Sequence, residues 1–266
     1  MDALRIMFLG DVVGEPGRSA VMAKLPVWKK ELGLDFIVVN GENAAGGRGI
    51  TPKISIDLLR AGASVITTGD HVWDQREIIE YFPTEPRLIR PINYPAGTPG
   101  AGFVVLDTPK GKVAVLQAQG RTFMQPPLEN PFTALEAQVD QLRETEGVRM
   151  MLVDMHAETT SEKIAMACAL DGKVSVVVGT HTHVQTADER IQEGGTAALT
   201  DAGMCGPEDS VLGREKSSVV WRFKSGMPTR FPVAKGPVRL CGLIADLDPQ
   251  TGNCIKIERV SERVEE

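Results

Sequence analysis

Five apolar runs of strand length in this chain each stop at a residue carrying a carboxylate, an amide or an imidazole. Leu4 to Gly10 runs into Asp11, and Phe36 to Asn40 runs into Gly41-Glu42-Asn43. Ser64 to Thr68 is followed by Gly69-Asp70-His71, and the run from Arg149 closes at His156. Val174 to Val178 leads through Gly179 into Thr180-His181-Thr182-His183. β-Branched apolar runs closed by Gly read as buried strands that deliver their C-terminal ends to a surface. In open α/β sheets those ends are where ligands bind. The chain has four His, and all four fall there. A lone loop His is ordinarily just solvated. Neutral imidazole is also the commonest metal-ligating side chain. Four of four at strand ends, beside Asp11, Glu42, Asn43 and Asp70, point to one shared metal site.

The elements between these runs fix the architecture. Helical patterns cover about Arg18 to Leu32, then Thr51-Pro52 to about Ala61, with Thr51 as N-cap and Pro52 at the first helical position. Val72 to Phe82 reads as a short helix, and the proline-rich stretch Pro83 to Pro99 as a loop. Gly102 to Asp107 and Lys112 to Gln119 form a hairpin about Thr108-Pro-Lys-Gly111. Phe132 to Glu146 is a helix, followed by the strand Val148 to Met155. Ser161 to Leu170 is a helix with Ser161 as candidate cap, and Gly195 to Thr200 is a short strand. Val238 to Leu247 and Asn253 to Val260 close the chain as a hairpin. The order β-α-β-α-β, hairpin, β-α-β, hairpin predicts two mixed sheets packed face to face with helices outside. That is a four-layer α-β-β-α sandwich, expected to be a single domain over residues 1–266.

Composition excludes several classes. With 266 residues the chain is long enough for a substantial core. A net charge of −6 leaves no overall basic footprint for duplex nucleic acid. No stretch approaches the ~20 apolar residues of a membrane span, and the N-terminus has no signal-peptide pattern. Cys168, Cys205, Cys241 and Cys254 show no C-x-x-C spacing, so buried reduced thiols of a cytoplasmic protein are expected. Gly10, Gly14 and Gly17 loosely resemble a phosphate-cradling loop but match neither a dinucleotide fingerprint nor a P-loop. Their other reading is a tight turn behind Asp11. Residues 202–236 are basic, with Arg214, Lys216, Arg222, Lys224, Arg230 and Lys235 against Glu208, Asp209 and Glu215. Three readings stand: a solvated excursion, a contact to an anionic substrate, or a subunit contact in a homo-oligomer. Trp221 and Phe231 favour the last, since aromatics and Arg are enriched at interface centres.

Asp11, Gly41-Glu42-Asn43, Gly69-Asp70-His71, His156 and His181-Thr182-His183 together resemble the ligand series of the calcineurin-like metallophosphoesterases. That series usually runs Asp-x-His, Gly-Asp, Gly-Asn-His, His, Gly-His-x-His. Here Val13 stands at the first motif's His, Glu42 at the bridging Asp, and Asp70 at the Asn. The first two departures are shared by the YmdB-like branch, with its Gly-Asp-Val-Val-Gly and Asn-Gly-Glu-Asn motifs. Thr200-Asp-Ala-Gly-Met204 and Leu212-Gly-Arg-Glu-Lys216 are also similar to that branch. Asp70 differs from the branch's Asn but keeps an oxygen donor.

The resemblance implies two transition-metal ions, divalent or mixed-valence, with Fe, Mn or Zn suited to such mixed ligands. One would take Asp11, Asn43 and His183; the other Asp70, His156 and His181; Glu42 would bridge them. Three carboxylates against two dications leave about one net positive charge, which favours a phosphodiester anion and a metal-bound hydroxide. His71, not needed as a ligand, is the expected general acid. The resemblance further implies a phosphodiesterase of cyclic nucleotides, 2′,3′-cyclic ones and cAMP. The residues alone argue for phosphoester hydrolysis without choosing diester over monoester. The competing class is a regulatory protein with a structural metal, acting through RNA-processing partners.

Overall fold

Along β1 (Leu4–Leu9) the buried side chains alternate: Leu4, Ile6 and Phe8 join one apolar cluster, Met7 and Leu9 another. A strand buried on both faces must lie between two packed layers. A computed structural model describes residues 3–265; Met1 and Asp2, at the head of the N-terminal segment, and Glu266 lie outside the described residues.

In the first sheet β1 pairs in parallel with β3 (Phe36–Asn40), and β3 in parallel with β4 (Val65–Thr67). On its other side β1 pairs antiparallel with β12 (Val238–Leu247). β12 carries both β11 (Met204–Pro207) and its hairpin partner β13 (Cys254–Val264). The short β2 (Asp11–Val12) continues β1 and pairs with β11. The second sheet runs in the order β5 (Phe103–Thr108), β6 (Gly111–Gln119), β7 (Met150–His156), β8 (Val176–Thr180), β10 (Ala197–Leu199), β9 (Arg190–Ile191). Within it β6, β7, β8 and β10 are parallel.

Three apolar layers glue these sheets. Ile6, Phe8 and Val38 meet Val115, Leu152 and Val178 between the sheets. Val21, Leu25 and Trp28 of α1 (Gly14–Glu31) and Leu58 of α2 (Pro52–Ala61) cover Met7, Leu9, Ile37 and Val39. Leu135, Val139 and Leu142 of α4 (Pro131–Thr145), with Met166 of α5 (Thr160–Ala169), cover Leu116, Met151 and Val153. This is the four-layer α-β-β-α sandwich the element order predicts. The Thr51 side chain accepts from the Ile54 amide, so the predicted cap is formed. Among the described residues no helix is long and apolar enough to cross a membrane.

Five local readings need correction. The helix expected from Arg18 begins at Gly14, so Gly14 and Gly17 lie in α1 rather than in a loop. At Gly17 a Cβ would stand 2.2 Å from the Cys205 carbonyl oxygen; the Gly lets α1 approach β11 closely. Of Val72 to Phe82 only α3 (Ile78–Tyr81) is α-helical, and Phe82 opens a 3-10 turn to Thr84. The Asp74 carboxylate there takes His71 Nδ1 at 3.1 Å and Arg48 Nε at 2.8 Å. Ser161 sits inside the first turn of α5, whose N-cap position is Thr159. Of the four thiols expected to be buried, Cys168 is instead exposed. Lastly, residues 202–236 contain β11 and an unforeseen helix, α6 (Lys216–Ser225), ended by Gly226 at φ 70°.

Candidate metal centre

The parallel strands of both sheets point their C-terminal ends to one edge, and the predicted residues gather there. Asp11 lies in β2, Glu42 and Asn43 just past β3, and Asp70 past β4. His156 is the last residue of β7, and His181 and His183 follow β8. Asp11, Glu42, Asn43 and His156 are buried. Asp70, His181, His183 and His71 are partly exposed.

His156 Nε2 stands 2.9 Å from Asp70 Oδ1, 3.2 Å from Glu42 Oε2 and 3.1 Å from His181 Nδ1. His181 Nδ1 is 3.3 Å from Asp70 Oδ1. One donor atom from each of Glu42, Asp70, His156 and His181 falls within 4.8 Å of the others. Beside this group, His183 Nε2 lies 3.7 Å from Asp11 Oδ1 and 3.1 Å from the Asn43 amide nitrogen. Glu42 touches both groups, since its Oε1 accepts from Asn43 at 2.9 Å. Gly69 makes room for this: a Cβ there would fall 1.9 Å from Glu42 Oε2 and 2.5 Å from His156 Nε2.

The surrounding bonds aim these donors. His156 Nδ1 pairs with Thr180 Oγ1 at 2.8 Å, and that hydroxyl donates to Asp154 Oδ1 at 2.6 Å. Asp154 Oδ2 also accepts from Thr67, Asn40 and Gln117. The His156 ring is therefore held with Nε2 toward the carboxylates, the usual role of an outer-shell partner. Glu158 Oε2 takes the far nitrogen of His181 at 3.2 Å, leaving Nδ1 to face the cluster. His181 and His183 adopt φ of 101° and 65°, a region costly for residues other than Gly. What fixes them is Asp201: its Oδ2 accepts from the Thr182 amide at 3.2 Å, the Thr182 hydroxyl at 2.7 Å and Lys163 Nζ at 2.6 Å.

Electrostatics explain what such a cluster needs. Burial, then the charges of Asp70 and Asp11, hold the Glu42 carboxyl well above the ordinary carboxylate range. Burial also pushes Asp154 up to about 7 and the His156 imidazole down. At Asp70 burial is outweighed by hydrogen bonds from His156 and His181, which hold its carboxyl far below the usual range. For His181 burial is likewise outweighed, and the Asp70 contact pushes it up. Among the described residues no Lys or Arg pairs with Asp11, Glu42 or Asp70. Converging imidazole nitrogens and carboxylate oxygens without a cationic partner fit divalent metal ions as their counter-charge.

All eight predicted site residues thus reach one edge. His71 lines the cavity while its Nδ1 is occupied by Asp74. Sequence reasoning missed Asp154, Glu158, Lys163, Asp201 and Asp74. Signals were present for two: Asp154 is an acid inside an otherwise apolar strand, and Glu158 lies two residues past His156. Arg214 lines the cavity, and its guanidinium bonds the carbonyls of Gly46, Gly47 and Phe231 and so staples the 202–236 segment to the loop after β3.

Two packed mixed sheets with a carboxylate–imidazole cluster at their shared edge define a metallophosphoesterase-like α/β protein. The sequence model described as YmdB-like protein matches residues 7–260, and the chain belongs to that family. It is 46% identical to a Bacillus subtilis protein named 2′,3′-cyclic-nucleotide 2′-phosphodiesterase, over 97% of this chain and 96% of that one. A crystal structure described as a novel phosphatase from Mycoplasma pneumoniae superposes with a TM-score of 0.93 at 34% identity, covering 100% of this chain and 95% of that chain. A hypothetical protein of Thermus thermophilus gives 0.90 at 37% identity, covering 98% of this chain and 99% of that chain.

Proposed function

We propose that this enzyme, a metal-dependent phosphoric diester hydrolase, opens 2′,3′-cyclic nucleotides. The observation that carries the reading is the convergence of Glu42, Asp70, His156 and His181 beside a cavity of about 750 Å³ that Glu42 and His181 line. In the proposed assignment Asp11, Asn43 and His183 hold one ion, Asp70, His156 and His181 the other, and Glu42 both. Fe and Mn are the first candidates, with Zn a third. Two such ions, when bound, supply positive charge against the phosphate and acidify water.

The chain's own groups do the rest. Hydrolysis joins a water oxygen to phosphorus and breaks the bond from phosphorus to one ribose oxygen. That oxygen departs needing a proton. In this reading His71 gives it from Nε2, an assignment supported by Asp74 taking its Nδ1 while Arg48 in turn holds Asp74. A positioned acid of this kind contributes typically 10²–10⁴-fold. A cavity-lining imidazole outside the proposed ligand set favours catalysis over a purely structural metal site. The four cysteines are free, which supports a cytoplasmic setting for a small-molecule substrate.

The deciding assay gives metal-loaded protein bis(p-nitrophenyl) phosphate beside p-nitrophenyl phosphate. Faster turnover of the diester is expected. Preference for the monoester would make the protein a phosphatase, and turnover of neither would remove the catalytic reading. 2′,3′-Cyclic AMP and 3′,5′-cyclic AMP, compared in the same buffer, rank the two cyclic substrates.

A further inference from the structure

We infer that the α6 side of the cavity is a nucleobase platform, formed by Phe223 and Phe231 and backed by Leu212 and Val219. The inference rests on the nucleotide reading above and extends it to residues outside the metal cluster. The cavity has two unlike walls. One holds Glu42, Asn43, His71, His181 and His183; the other holds Leu212, Val219, Phe223 and Phe231, with Arg214 and Arg222 beside them. Val219 and Phe223 are four residues apart on α6 and therefore share a helix face. Phe223 is 84% exposed, and neither Phe has an aromatic partner among the described residues. A solvent-facing ring on the wall of a site for an anion is poorly explained by packing. Its π-face is what a base stacks on.

The two walls are tied together, which makes the distance from phosphate to base a fixed one. His183 Nδ1 lies 3.1 Å from the Leu212 carbonyl oxygen. Arg214 links Phe231 to the loop that follows Glu42 and Asn43. A cavity of about 750 Å³ is within the range of small-ligand sites and suits a mononucleotide. Stacking tolerates every base, so the platform favours cyclic nucleotides as a class over small cyclic diesters.

The test measures binding and turnover in parallel on metal-loaded protein. Titration calorimetry with adenosine 3′-phosphate and with inorganic phosphate separates the base from the anion. Phe223→Ala and Phe231→Ala should weaken adenosine 3′-phosphate by about fivefold to a hundredfold, the range that base-stacking aromatics give. Phosphate binding should stay unchanged, and Phe223→Tyr should behave as the parent. The kcat/KM for 2′,3′-cyclic AMP should fall by a similar factor, while that for glycerol 1,2-cyclic phosphate, a five-membered cyclic diester without a base, should hold. Equal losses on nucleotide and phosphate, or no loss on either, overturn the platform. A change of molar mass in light scattering of Phe223→Ala overturns it too, by assigning the ring to a subunit contact. If the parent protein fails on 2′,3′-cyclic AMP, the phosphodiesterase reading itself falls; if it succeeds without discriminating nucleotide from phosphate, the platform alone falls.

Discussion

His71 and Asp70 are neighbours in the chain with different expected work, and a single substitution separates them. His71→Ala should keep its metal content by elemental analysis, because Asp70 rather than His71 faces His156 and His181. Turnover of a diester with an alkoxide leaving group should fall by about 10²–10⁴-fold. The loss should shrink for p-nitrophenolate, which leaves with little help. Loss of metal instead would make His71 a ligand. At this scale the proposed ligands were legible because each is a rare or charged residue placed where an apolar run stops. Their supports were not. Asp201 and Lys163 meet across 38 residues of sequence, and Asp154 reaches His156 only through a hydroxyl of another strand. No local pattern encodes such contacts.

Among elements, the loop between β8 and β9 holds both imidazoles at positive φ, His181 and His183, and leans on Asp201. Lys163 and Asp201 have side chains 2% and 1% exposed, so removing one partner leaves a buried charge alone, typically at a cost of about 3–5 kcal/mol. Asp201→Asn should lower Tm accordingly, and it should reduce metal occupancy as well, since Thr182 between the two imidazoles loses its anchor. Unchanged occupancy with lowered Tm would restrict Asp201 to stability. The long strands and α2, α4 and α5 were readable from periodicity, and α2 also from its Thr51 cap. The short pieces β2, β9 and β11 were not, because two to four residues hold no period. α6 escaped for another reason: its hydrophobic residues do not form one stripe, and several face solvent.

For the molecule as a whole, four layers follow from strands that alternate between two cores, and that alternation is written in the sequence. The way β12 inserts between β1 and β11 is not; it depends on cross-strand partners about 240 residues apart. One of these is measurable. Arg5 and Asp246 are register partners and form a two-point ion pair, Nε to Oδ1 at 2.7 Å and Nη2 to Oδ2 at 2.9 Å. The Arg5 bond holds the Asp246 carboxyl below its ordinary range. Its contribution is thus present above the unfolded value near 3.9 and lost as pH falls through the folded one. With the pair partly solvated, Asp246→Asn should cost about 0.5–1 kcal/mol near pH 7, and the two Tm curves should converge in acid. A constant gap would mean the pair's charge contributes nothing. The proposed ligands divide by sheet in the same large-scale way: Asp11, Glu42, Asn43 and Asp70 belong to the first, His156, His181 and His183 to the second. Oxygen donors thus sit on one leaf and imidazoles on the other. Neither leaf alone carries both kinds, so an ion held by both acts as a rivet, and an unfinished molecule has no half-active form to leak unwanted hydrolysis.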